Sequence, residues 1–484
     1  MALGRKTRRS SKRDTTPGHA PRGSTPGGSN SVAAQQVGDA SGQAGASVAA
    51  AAGAWGNAYG SQVAAEETPL PEGFTEEQLQ AATAWATGQG GPSANVIRQL
   101  QATLGAPTTG RYDRATVIAV VTDQQAAGAA VTGRADAAYM GTKGLIFTEE
   151  VAPLEVDDAL LQDVQTNSPD GFAVSFYADY EPKTGDAWEF VNQATRFAGS
   201  ANALGLEGGS IARGVPTPIT SPADLVEGIR QIHTSLLQRY EAGLTPWMQR
   251  VYAAVRSSGN DGLGPDWTKA NDVGLFSHGL TDALNLNDDE YNYNEGLHLD
   301  SRGQSNIRSF VQGIQGSVTS DVDVQLFACS AGRGTDEDAA WLEHTQDRRM
   351  GQNSIAQALS TELGEDASVY AHTTAGHTTE NYAARVFGAE AGGGEGGLHM
   401  FDRLYPETFI QSELTRIYPT RSDEQRQQQH HNLRERMWSH YRGSIGPGKQ
   451  IPGGTEQTGH LMFRDPDAAA QLLHADWQSK NPPQ

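Results

Sequence analysis

Two short apolar runs, each ending in a reactive side chain beside a small residue, constrain this chain more than anything else in it. The first is Val273-Gly274-Leu275-Phe276-Ser277-His278-Gly279. The second is Val322-Asp323-Val324-Gln325-Leu326-Phe327-Ala328-Cys329-Ser330-Ala331-Gly332. Short apolar runs bounded by small residues read as buried strands. Cys329 is the only cysteine among 484 residues. A thiolate is a strong nucleophile near neutral pH, and a nearby imidazole can take its proton. The two runs therefore predict a nucleophile, Cys329, with His278 as its proton partner. The bland alternative is a small buried cysteine and a histidine in a capped turn.

The surrounding pattern alternates strand and helix. Phe172–Ala178 is apolar and aromatic, and Trp188–Leu204 reads as helical. Ser221 and Pro222 open a further helix as N-cap and first helical residue, with Leu225, Ile229, Ile232 and Leu236 at helical spacing. The strand at 273–277, a helix over 305–314, the strand at 322–328, a helix over 354–363 closed by Gly364, and a strand at 367–372 follow. This order predicts an α/β fold: a mostly parallel sheet flanked by helices. Reactive groups in such sheets gather at the carboxyl ends of strands, where His278, Cys329 and His372 are all placed.

Two polar stretches flank those ends. One is the acidic loop through Asp282, Asp288, Asp289 and Glu290, which reads as a solvated loop or as one favouring a basic side chain. The other runs from His372 through His377 to Asn381 and reads as a loop lining the substrate cleft. Asp282, His372 and His377 are the candidate cleft residues. His372, His377 and Glu380 lack the helical spacing of a metal motif, since Gly376 breaks any helix there. His430-His431 has no partner ligands at suitable spacing. No metal and no cofactor is expected.

The chain is too long for one ordinary domain. Residues 1–70, rich in Gly, Ala, Ser, Thr, Pro and Gln, cannot bury enough surface to offset their ordering entropy, and read as a disordered tail. Its basic start, Arg5-Lys6-Thr7-Arg8-Arg9 with Lys12-Arg13, is followed by Thr, Pro, Gly and Ser rather than an apolar segment. No ordinary secretory signal is read there, so the chain is expected to be cytoplasmic when made, with export by a non-Sec route such as an injection system left open. The net charge of -21 argues against nucleic-acid binding beyond a contact by that basic tail. No apolar run is long enough to span a membrane, and one cysteine excludes an intramolecular disulfide. Residues 406–484 read as a C-terminal helical extension without chemistry of its own.

Residues 72–145 form a helical pattern. Thr75 with Gln78 makes a capping box, Val96–Gly105 an amphipathic helix closed by glycine, and Thr109-Gly110-Arg111-Tyr112-Asp113 a turn into a helix led by Thr116. Gln124 or Gln125 precedes a second turn, Thr132-Gly133-Arg134-Ala135-Asp136. With Leu100-Gln101 and Leu104-Gly105, this order resembles the small all-α peptidoglycan-binding-like domain. The resemblance implies a cell-wall glycan or peptide as a partner, or a generic interaction module.

Residues 165–405 carry a second resemblance. Phe276-Ser277-His278-Gly279 and Leu326-Phe327-Ala328-Cys329 resemble the signature of the caspase-like cysteine peptidases (clan CD: caspases, legumains, clostripain and gingipain relatives, and the self-cleaving domains of large bacterial toxins). Their order and separation suit that family. The resemblance implies a caspase-like sheet, attack by Cys329 on a peptide carbonyl, protonation of the leaving amine by His278, and an oxyanion held by the backbone N–H groups of Gly279 and Cys329. The expected function is a cysteine endopeptidase acting on a protein or peptide, of the kind found in bacterial toxins and effectors. The alternatives are a non-catalytic wall-binding or scaffold protein with a caspase-like domain, and an amidase or peptidase acting on peptidoglycan.

Overall fold

The computed structural model describes residues 68–483, apart from 89–90, 150–151, 181–184, 258–263, 288, 290–291, 301–304, 335–348, 375–380, 394–395, 446–448 and 455–456. All of these belong to one unit, Asn57–Gln484. The expected disordered tail lies outside the described residues as far as residue 67, and so do His377, Asp288, Glu290 and Glu380.

Helices α1 (Glu76–Thr87), α2 (Ala94–Thr103), α3 (Arg114–Ala126) and α4 (Ala137–Thr142) come first. Thr75 and Gln78 close the capping box on α1, and Asp113 and Asp136 cap α3 and α4. These helices bury Leu79, Leu100, Val117, Val120, Val121 and Met140 around a cluster of their own. Two buried amides brace their turns in the same way. Gln101 Nε2 donates to Thr109, to the Arg111 carbonyl and to Thr116, and its Oε1 accepts the Gly110 N–H. Gln124 does likewise with Thr132, Arg134 and Gly133. Gln124, rather than Gln125, is thus the second brace.

Between these helices and the sheet lies helix α5 (Asp158–Asn167), capped by Asp157. Then come β1 (Phe172–Ala178), α6 (Gly185–Ala201), β2 (Leu204–Glu207), β3 (Ser210–Arg213), β4 (Thr217–Ile219), α7 (Pro222–Ala242) and α8 (Pro246–Ser257). Next are β5 (Ala270–Phe276), β6 (His278–Leu280), β7 (Ala283–Asn285), β8 (Leu297–His298), α9 (Ile307–Ile314), β9 (Val318–Phe327), β10 (Arg349–Met350), α10 (Ile355–Leu363) and β11 (Ser368–His372). The remainder is β12 (Ala384–Gly388), β13 (Gly397–His399), α11 (Met400–Leu404), α12 (Glu407–Ile417), α13 (Asp423–Ser444), α14 (Thr458–Arg464) and α15 (Pro466–Lys480).

Among the described residues one ten-stranded sheet runs in the order β10-β13-β12-β11-β9-β5-β1-β2-β3, with β4 beside β1. Its centre, β11-β9-β5-β1-β2, is parallel. Its margins, β12, β13, β10 and β3, are antiparallel. The fold is α/β, with a mostly parallel mixed sheet between helices. No helix among the described residues is long and apolar enough to cross a membrane.

The two faces of the sheet have separate cores, which is why its strands read as near-continuous apolar runs. Val322, Val324 and Leu326 of β9 face Leu225 and Ile229 of α7, Phe310 of α9 and Leu359 of α10. Phe276, Phe327 and Tyr370 face the other way, toward Phe197 of α6 and Phe401, Leu414, Met437, Phe463 and Trp477 of the C-terminal helices. Phe276 and Phe327 stack with centroids 4.4 Å apart. Gly274 lets Phe197 lie flat on β5, since a Cβ there would stand 2.8 Å from that ring. The C-terminal helices therefore share the core of the sheet and form one of its two covers.

Candidate active site

Register sets the site. Tyr177 of β1, Phe276 of β5 and Phe327 of β9 lie side by side in three adjacent parallel strands. Two residues beyond Phe276 is His278, and two beyond Phe327 is Cys329. The candidate pair thus sits at neighbouring strand ends. Gly279 lies directly on the cysteine backbone: a Cβ at this position would be 2.7 Å from the Cys329 carbonyl oxygen, 2.8 Å from Ala328 Cβ and 3.3 Å from the Cys329 nitrogen. Only a residue without a side chain permits that approach. Cys329 is partly exposed and free of any disulfide.

His278 is not the end of β5 but the first residue of β6, which turns away to form a small antiparallel sheet, β6-β7-β8. The stretch expected to be an acidic loop, 282–290, contains β7. His278 pairs with Asn285, and Gly279 with Leu284. Asp282 occupies the β6–β7 turn, partly exposed, and its carbonyl accepts the Leu299 N–H at 2.9 Å. Beyond it Asn285 and Asn287 fold the loop on itself: Asn285 Nδ2 donates to the Asp289 carbonyl and Asn287 Oδ1 accepts the Asp289 N–H.

The cysteine leads into a sharp turn. Ser330 has φ 56°, a left-handed conformation that costs a non-glycine residue about 1–2 kcal/mol. The turn is held from the end of β11 and just beyond it: the His372 carbonyl accepts the Gly332 N–H at 2.8 Å and the Thr374 carbonyl accepts the Ser330 N–H at 3.3 Å. The buried Arg385 guanidinium of β12 donates to the Gly332 carbonyl at 3.1 Å. The start of α10 joins this turn to the histidine side. The first N–H groups of a helix have no partner within it. Here the Ile355 N–H goes to the Thr281 carbonyl at 2.8 Å, and the Ala356 N–H goes to the Ala331 carbonyl at 3.2 Å. One helix end therefore grips the loop after His278 and the loop after Cys329 together. The Ser354 hydroxyl caps the same helix by accepting the Gln357 N–H.

His372 departs from the cleft-lining expectation. It is 1% exposed, so its ring lines no open surface, and it packs 4.9 Å from Phe463 beneath α14. Its carbonyl braces the turn after Cys329. Next to it His460 of α14 is buried against Phe327; burial, reinforced by the Arg196 and His372 charges, pushes its pKa down to about 3. Among the described residues no group of three or more His, Cys, Asp or Glu could hold a metal ion.

Sequence reasoning missed Tyr180 and Phe190. Tyr180, just beyond β1, is fully buried; its hydroxyl accepts the His278 N–H at 2.8 Å and donates to the Asn285 carbonyl at 2.8 Å. Its ring lies 5.2 Å from the imidazole at 31°, and Phe190 of α6 meets the imidazole edge-on at 5.0 Å and 90°. Neither carried a signal of its own in the sequence, since Tyr180 meets His278 only because folding sets β1 beside β5.

No family model matches the chain, and neither a curated protein nor a solved structure matches it.

Proposed function

We propose that the chain is a caspase-like cysteine peptidase whose dyad is His278 and Cys329. The observation that carries this reading is the register. It aligns Phe276 with Phe327, sets the two reactive residues just past neighbouring strand ends, and presses Gly279 against the Cys329 backbone.

In this reading the Cys329 thiol gives its proton to His278, and Sγ attacks the substrate carbonyl carbon. The carbonyl oxygen gains the negative charge and is met by the Gly279 and Cys329 backbone N–H groups. The tetrahedral species then collapses, the C–N bond breaks, and the leaving amine takes the proton from His278. Water, deprotonated by His278, hydrolyses the thioester and restores the thiol. The grip of α10 on both loops supports such a mechanism, because a fixed geometry removes reorganisation from the barrier.

The test is a panel of peptides bearing an electrophilic warhead, with the labelled residue found by mass spectrometry, alongside turnover of unmodified peptides. Labelling at Cys329, with turnover abolished in both Cys329→Ala and His278→Ala, is the expected result. No turnover by the wild type, together with Cys329 reacting no faster than a free thiol, would leave a non-catalytic scaffold.

The two amide-braced turns of residues 101–136 favour a second reading of the substrate. They are the motif on which the peptidoglycan-binding resemblance rests, and they direct the same dyad toward wall stem peptides. Release of fragments from purified sacculi tests it; intact sacculi beside cleaved protein substrates would eliminate it.

A further inference from the structure

Resting on the dyad reading, we infer that Tyr180 is the positioning residue for His278, holding its backbone and its ring so that the imidazole is presented to Cys329. Three independent contacts converge on one histidine. The Tyr180 hydroxyl accepts the His278 backbone N–H at 2.8 Å, and the same hydroxyl donates to the Asn285 carbonyl at 2.8 Å. Asn285 is the residue opposite His278 in the β6–β7 ladder. One buried oxygen thus pins both members of that pair to the end of β1. The aromatic ring then sets the imidazole plane, tilted 31° at 5.2 Å, while the neighbouring Phe190 meets the imidazole at 90° and 5.0 Å.

This arrangement meets a specific mechanical need. β5 delivers His278 to the strand end, but the chain leaves the large sheet there and enters the small one. The registers of β5 with β1 and with β9 end at Phe276, two residues before the histidine. Tyr180 supplies the missing tie from the β1 side, as α10 supplies it from the β9 side through Thr281. Tyr180 itself need not touch substrate for any of this.

The experiment is a double-mutant cycle on the rate of Cys329 alkylation by iodoacetamide in the full chain, which requires no knowledge of the substrate. Tyr180→Phe keeps the ring and removes the hydroxyl. It is expected to slow alkylation about three- to tenfold, the worth of one buried hydrogen bond. His278→Ala is expected to slow it further, and Tyr180→Phe added to His278→Ala is expected to have no additional effect. Tyr180→Leu, which removes hydroxyl and ring, is expected to approach the His278→Ala rate, and its thermal midpoint shows whether it remains folded. An equal loss from Tyr180→Phe in both backgrounds would mean a merely structural role and overturn the inference, as would no loss in either. An unchanged rate in His278→Ala alone would instead overturn the dyad reading from which the inference starts.

Discussion

Gly279→Ala adds one methyl group where the geometry leaves none to spare. The new Cβ would sit 2.7 Å from the Cys329 carbonyl oxygen and 2.8 Å from Ala328 Cβ. Restoring ordinary van der Waals contact requires a displacement of about 0.7 Å. No flexible side-chain end is available to yield; the obstructing atoms are backbone or a Cβ. The cost is steric rather than conformational, because Gly279 does not occupy the left-handed region. Forced overpacking of this kind costs about 1–3 kcal/mol. Any relief separates the histidine loop from the cysteine loop, so stability and Cys329 reactivity should fall together. Urea denaturation gives the first quantity and iodoacetamide kinetics the second. Gly199→Ala is the control: its Cβ meets nothing within 4 Å in α6, and helix propensity favours it by about 0.5–1 kcal/mol. A Gly279→Ala protein with an unchanged midpoint and an unchanged alkylation rate would refute the close packing of the two loops.

The buried His460, with its pKa held near 3, stays neutral in the folded chain while the unfolded chain takes up a proton below about 6.5. Stability should therefore fall as pH drops from about 6.5 toward 3, by at most about 1.4 kcal/mol per unit from this group; His460→Leu should flatten that slope in denaturation curves, and an identical slope would remove His460 as its cause. Glu413 of α12 is 1% exposed and is held by Arg416 at 2.6 Å, Trp477 Nε1 at 2.8 Å and Gln478 Nε2 at 2.8 Å. Glu413→Ala should cost about 3 kcal/mol by leaving the buried Trp477 indole N–H without its acceptor and Arg416 with the Asn481 carbonyl but no carboxylate, and a guanidinium midpoint within error of the wild type would contradict this.

The central strands were legible because they are buried on both faces, which leaves only apolar residues at most of their positions. Helix ends were legible where a side chain caps them, at Thr75 and Ser221, or where a glycine closes them, at Gly364. The small sheet was not, because β7 and β8 are two or three residues long and sit among asparagines whose side chains fold the loop. Helix α5 had a signal that could have been used: Asp157 as cap, then Leu160, Leu161 and Val164 at helical spacing. In α13 a Gln-, Arg- and His-rich surface conceals the buried stripe Leu433, Met437, Trp438 and Tyr441. The candidate pair could be named from its two dipeptides. Tyr180, Phe190 and the α10 start could not, because each acts through a neighbour brought near only by folding. The His372 expectation failed for a related reason. A strand end faces solvent only if nothing covers it, and α14, nearly ninety residues later, covers this one.

That late cover has a consequence for biosynthesis. Phe276 and Phe327 lean on Phe463 and its neighbours in α14. A nascent chain that has emerged only as far as β11 already contains both reactive residues, yet on this side of its sheet only α6 is in place and the surface that the C-terminal helices will cover remains bare and adhesive. The packing around these strand ends is therefore complete only once α14, nearly ninety residues after β11, has also been made.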